Sequence, residues 1–164
     1  MTADLEKLAE AVGHRLLKRQ ALLATAESCT GGWIAQVVTS VPGSSAWFDR
    51  GFVTYSNRAK QEMLGVSPAA LGVHGAVSGP VVAEMVMGAL RYSQARYALA
   101  VSGIAGPGGG SEDKPVGTVY LAWARRDLAP LVQCRQFAGN REEIRRQTVL
   151  LALEQLIDLL DADG

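Results

Sequence analysis

Cysteine and histidine are scarce in this chain: two of each in 164 residues, Cys29 and Cys134, His14 and His74. Two thiols far apart build no disulfide framework, which favours a reducing compartment, the cytoplasm, over secretion. No Cys/His cluster has zinc-ligand spacing, so no metal is expected. Net charge is missing too, because 16 Lys and Arg balance 16 Asp and Glu. A chain without a basic field has no sequence-independent hold on phosphodiester backbones, and no nucleic-acid partner is expected. Long apolar runs are absent, so nothing here is long enough to span a bilayer and no membrane contact is expected. The opening MTADLEKLAEAVGHRLLKRQ is charged throughout, unlike a signal peptide.

Hydrophobic residues make up 48% of the chain, ample for one core in a single domain over residues 1–164. Leu5, Leu8, Val12 and Leu16 recur at helical spacing and predict an amphipathic first helix. ALLATA (21–26) reads as a buried strand, followed by a helix over 30–38 that Pro42-Gly43 ends. AWFDRGFVTY (46–55) reads as a strand. Asn57 is placed to cap a short helix ending at Gly65, and Ser67-Pro68 opens a turn. A helix is predicted within 77–95, with a serine cap and a proline in its first turn. YALAVSG (97–103) is a strand leading into a glycine-rich loop. Segments 116–124 and 131–139 form a predicted hairpin. Asn140 with Glu143 makes a capping box for a helix over 141–160. This order predicts an α/β layered fold with a mixed sheet.

The stretch ATAESCTGG (24–32) places Ser28 between a strand end and a helix predicted to start near Thr30. Backbone N–H groups at such a start lack intrahelical partners, and Gly31 and Gly32 leave room for a ligand. That suits attack by Ser28 on an acyl carbon, with N–H groups near Thr30 and Gly31 holding the oxyanion. The competing reading is an ordinary helix cap. Cys29 is the rival nucleophile, since helix N-termini activate thiols.

TYSNRAK (54–60) supplies Tyr55 and Lys60. Lysine serves as a base only when neutral, and work near pH 7 requires a depression of roughly 3 units from ~10.4. The competing reading is a surface lysine. SGIAGPGGG (102–110) is suited to present backbone N–H groups to an anion. It lacks the Gly-Lys-Ser/Thr of a Walker loop and also fails the G-x-G-x-x-G pattern, and a flexible surface loop is the alternative. Arg141 and Arg145 lie one helical turn apart, placed to grip a phosphate or carboxylate. Alternatively they belong to a solvated face. His74 reads as a turn or packing residue.

Taken together, ATAESCTGG, GFVTYSNRAK, HGAVSGPVVAEM, AVSGIAGPGGG with KPVGTVYLA, and GNREEIRRQTV resemble the C-terminal domain of the competence/damage-inducible protein CinA, over residues 5 to 160 and in order. The resemblance is to the stand-alone form of that domain. It implies a three-layer α/β/α fold and hydrolysis of nicotinamide mononucleotide to nicotinic acid mononucleotide and ammonia. It also implies a homo-oligomer, a dimer or larger, without cofactor. By position it implies Ser28 as nucleophile, assisted by Tyr55 and Lys60. The loop residues Ser102, Gly103, Ala105, Gly106 and Gly108, with Arg141 or Arg145, are expected to hold the 5′-phosphate. Two other readings stand beside it: a non-catalytic nucleotide-binding or interaction module, and an amidase of another amide-bearing nucleotide.

Overall fold

The structure, a computed structural model, describes residues 3–163. Helix α1 (Ala3–Arg19) carries acids in its first turn and bases in its last, matching the helix dipole, and buries Leu5, Val12 and Leu16. Strand β1 (Leu23–Glu27) is buried along its whole length. Helix α2 (Trp33–Thr39) follows after a turn, then β2 (Phe48–Val53). Helix α3 (Asn57–Leu64) is capped by Ser56, not by the expected Asn57: the Ala59 N–H donates to the Ser56 hydroxyl. Gly65 ends it with φ 70°. The Ser67-Pro68 pair, expected as a turn, starts a helix, α4 (Pro68–His74), capped by the Ser67 side chain. Ser78 caps α5 (Gly79–Arg91), with Pro80 in its first turn. Strands β3 (Tyr97–Gly103), β4 (Thr118–Arg125) and β5 (Leu131–Gln136) precede α6 (Arg141–Ala162), whose Asn140–Glu143 capping box is present.

The sheet runs β2-β1-β3-β4-β5. β1 is parallel to both β2 and β3, while β3/β4 and β4/β5 are antiparallel. Strand alternation separates its two faces. Leu23, Leu99, Val101, Leu121 and Trp123 join one cluster with side chains of α1, α2 and α6. Ala24, Ala26, Ala98, Ala100, Ala122 and Ala124 join the other with Leu64, Met85 and Val86 of α3 and α5. The result is the mixed three-layer α/β/α arrangement. The small alanine face lets α5 lie close. Gly88 completes this approach on the outer side of α5, since a Cβ there would sit 2.0 Å from the Leu64 carbonyl oxygen.

β1 is flanked by β2 on one side and β3 on the other, so the chain moves to one side of β1 for β2 and then crosses to the other for β3. Open α/β sheets form their ligand crevice at such a switch point. Ser28 is the first residue after β1.

Candidate active site

The turn carrying Ser28 is closed on itself. The Gly31 N–H donates to the Ser28 carbonyl (3.1 Å), and the Trp33 N–H donates to the Thr30 carbonyl (3.0 Å). Gly31 and Gly32 adopt φ 60° and 102°, where side chains are strained. Two left-handed residues in succession delay the helix, so α2 begins at Trp33 where the sequence predicted Thr30. The Gly31 amide expected at an oxyanion is already engaged.

The start of α2 is also occupied. The Glu27 carboxylate accepts from the Ile34 N–H (2.8 Å), the Ala35 N–H (3.1 Å) and the Thr30 hydroxyl (2.6 Å). Burial pushes the Glu27 pKa up, and these hydrogen bonds oppose the rise. The chain thus supplies its own anion to the helix end. Sequence analysis passed over Glu27; the available signal was an acid closing an apolar strand immediately before a small-residue turn.

Lys60 reaches Ser28 because β2 lies beside β1. The Thr54 N–H, just past β2, donates to the Glu27 carbonyl (2.8 Å), and α3 then folds back over the strand end. The Lys60 side chain is buried, 1% exposed. Its Nζ lies 2.9 Å from Ser28 Oγ, 2.8 Å from the Thr54 carbonyl oxygen and 3.5 Å from that of Tyr55. Burial lowers its pKa. A neutral amine has two N–H donors and one lone pair. In the neutral form the two carbonyls take the N–H groups and the lone pair is left for the Ser28 hydroxyl, whereas the ammonium form donates to all three oxygens. The surface-lysine reading is thereby overturned.

Cys29 belongs to the core cluster between the sheet and α1, α2 and α6. Burial, then the nearby Glu27 charge, pushes its thiol up to about 12. It stays protonated near neutrality and makes a poor nucleophile.

Tyr55 is exposed, and its phenol accepts from Arg141 Nη2 (3.1 Å); its carbonyl, not its ring, faces the lysine amine. Arg141 also donates to the Gly106 carbonyl (2.7 Å). Arg145 turns elsewhere: Nε donates to the Cys29 carbonyl (3.0 Å) and Nη2 to the Thr30 carbonyl (3.1 Å), with the guanidinium 5.5 Å from the Trp33 ring centre.

These elements surround a cavity of about 190 Å³. Ser28, Cys29, Lys60, Tyr55 and Arg141 line it together with Ser102, Gly103 and Ala105, so the thiol is set apart from the hydroxyl by its raised pKa and by the Lys60 contact to Ser28 Oγ rather than by absence from the cavity. The Ser102 hydroxyl donates to the Ala76 carbonyl (2.9 Å). Thr30, Gly31, Gly106, Gly108 and Arg145 are not among the lining residues; Gly106 acts through its carbonyl on Arg141. Asn57, Ala76 and Val77 do line it, and the sequence had drawn attention to none of them as ligand contacts. His74 is exposed at the end of α4, where its carbonyl accepts from Lys114 Nζ (2.8 Å). A wider depression of about 780 Å³ beside His14, Arg15, Lys18 and Asp161 is lined by no serine, threonine or cysteine. Among the described residues no group of three or more His, Cys, Asp or Glu side chains is arranged to hold a metal, and no helix is long and apolar enough to cross a membrane. An alcohol, a buried amine and a cationic mouth together suit acyl transfer to a serine.

The CinA C-terminal domain family model matches residues 5–160. The nicotinamide-nucleotide amidohydrolase PncC of Escherichia coli is 54% identical over 154 residues, covering 94% of this chain and 93% of that protein. The protein of the same name from Pseudomonas putida is 55% identical over 152 residues, 93% of this chain and 94% of its own length. The crystal structure of competence/damage inducible protein CihA from Agrobacterium tumefaciens superposes with a TM-score of 0.94 at 49% identity, covering 97% of both chains.

Proposed function

The chain belongs to the CinA C-terminal domain family, and from that premise we propose that it is a nicotinamide-nucleotide amidohydrolase, converting nicotinamide mononucleotide and water to nicotinic acid mononucleotide and ammonia. Relatives above half identity over nearly the whole chain bear that name. The observation that carries the mechanism is the 2.9 Å contact between Lys60 Nζ and Ser28 Oγ, a nearly buried pair on the wall of the cavity.

In this reading Ser28 Oγ attacks the carboxamide carbon while its proton passes to the Lys60 lone pair. The tetrahedral intermediate collapses as Lys60 returns that proton to the nitrogen, which leaves as ammonia. Water then attacks the acyl-enzyme, giving a proton to Lys60, and the acid departs as Ser28 Oγ is reprotonated. Arg141 sits at the mouth with Tyr55, placed to meet the 5′-phosphate while the ring enters toward Ser28. The segment from Ser102 to Ala105 forms the facing wall. Binding a remote anion in this way positions the amide for attack.

The test is ammonia release from nicotinamide mononucleotide by the purified chain. Ser28→Ala and Lys60→Ala should each lower kcat by about four orders of magnitude while leaving the fold intact. Binding without ammonia release in the wild type makes the domain a non-catalytic nucleotide-binding module. Faster release from another amide-bearing nucleotide reassigns the substrate. The same reading places the protein in the cytoplasm, as free Cys29 and Cys134 suit, and has it assemble as a homo-oligomer, which sedimentation analysis checks.

A further inference from the structure

Arg145 and Arg141 share one face of α6, yet they meet different things. Arg141 lines the cavity; Arg145 does not, and its Nε and Nη2 hydrogen bonds end on backbone carbonyls of the turn that carries Ser28. The peptide bonds of that turn are trans, since the Gly106–Pro107 bond alone is cis among the described residues. In a trans peptide the C=O and the following N–H point in opposite directions. Drawing the Cys29 and Thr30 carbonyls toward α6 therefore turns the Thr30 and Gly31 N–H groups away from it. The Gly31 N–H closes the turn on the Ser28 carbonyl. The opposite flank of the turn is fixed as well, because Glu27 accepts the Thr30 hydroxyl. A guanidinium on the carbonyl side also polarises both peptides, strengthening their N–H groups as donors.

We propose that Arg145 is a positioning residue for the chemistry at Ser28, holding the Cys29 and Thr30 carbonyls so that the turn keeps Ser28 Oγ in the cavity beside Lys60. This rests on the amidohydrolase reading for its substrate. It replaces the expectation that Arg145 binds phosphate, and it separates the two arginines by role: one acts on substrate binding, the other on turnover.

The experiment compares wild type, Arg145→Met, Arg145→Lys and Arg141→Met in two assays. The first is steady-state hydrolysis of nicotinamide mononucleotide; the second is the rate of Ser28 modification by an arylsulfonyl fluoride, followed by mass spectrometry, which needs no substrate assignment. Arg145→Met should lose about 100-fold in kcat, the scale of a small misplacement of the reacting group, with KM within about threefold and a similar slowing of Ser28 modification. Arg145→Lys, which keeps the charge but loses the planar fork, should recover only part of the rate. Arg141→Met should raise KM instead. A rise in KM above tenfold with kcat intact in either Arg145 variant overturns the proposal and makes Arg145 a substrate ligand. Unchanged kcat and unchanged modification also overturn it. Should Arg145→Met fail to fold, Arg145→Lys carries the same test. If the wild type modifies at Ser28 but leaves the mononucleotide intact, the substrate assignment falls and the modification rates alone judge Arg145. If it does neither, both fall together.

Discussion

Lys60 loses the water that would stabilise its charge and receives two carbonyl oxygens and a serine hydroxyl in its place. Its folded pKa therefore lies below the 10.5 of a free lysine, and two pH effects follow. The unfolded chain binds a proton at this site over the window between the lowered value and 10.5, so the Lys60 contribution to stability rises with pH across that window and is most unfavourable below it. Lys60→Met should be more stable than wild type at neutral pH, with the gap closing as pH approaches 10.5; urea titrations at several pH values read this directly. Activity should follow the same deprotonation: kcat/KM climbs with pH and reaches its plateau below 10.5. Cys29 shows the reverse logic. A thiol pushed up to about 12 contributes no thiolate, so Cys29→Ala should retain ammonia release within about threefold. The sequence offered Ser28, Cys29 and Lys60 as candidates but left their states open. Burial decides between them, and burial depends on β2 lying against β1, a pairing that no local pattern encodes.

Elements that announce themselves through side-chain caps were the legible ones. Ser78 with Pro80, and Asn140 with Glu143, fix the starts of α5 and α6 where the sequence placed them. The start of α2 was misplaced because its cap is not a neighbouring Ser or Thr but Glu27, reaching forward from the end of β1 across a turn with two left-handed glycines. α4 was missed because a seven-residue helix has little room for a periodic pattern, although Ser67-Pro68 marked its start. Packing between elements is less legible still. Gly88 reads as a helix weakness, yet it is where α5 touches the end of α3 through backbone. Gly88→Ala, favourable on helix propensity alone, should destabilise the fold by about 3 kcal/mol, because the Leu64 carbonyl cannot yield without moving α3. Chemical denaturation measures that loss. Since α3 carries Lys60, a partial loss of activity in the folded fraction should accompany it.

At the scale of the whole molecule, one sheet serves both hydrophobic clusters: each central strand sends alternate side chains to opposite faces. Neither layer of helices keeps its floor if the other is lost, so urea should unfold the chain in a single step, with enzymatic activity, near-UV and far-UV circular dichroism falling along one curve. α6 spans this body. Its 22 residues extend about 33 Å at ~1.5 Å per residue. Near its start, Arg141 and Arg145 reach the Tyr55 phenol, the Gly106 carbonyl and the turn that carries Ser28. At its far end, Asp161 pairs with Arg15, and Asp163 with Arg125 and the Tyr97 phenol. For anyone purifying this protein the practical lesson concerns where to attach an affinity tag. A bulky group fused close behind Asp163 would tug at the anchored end of a rod whose other end touches the Ser28 turn, so a cleavable spacer belongs there before any specific activity is compared.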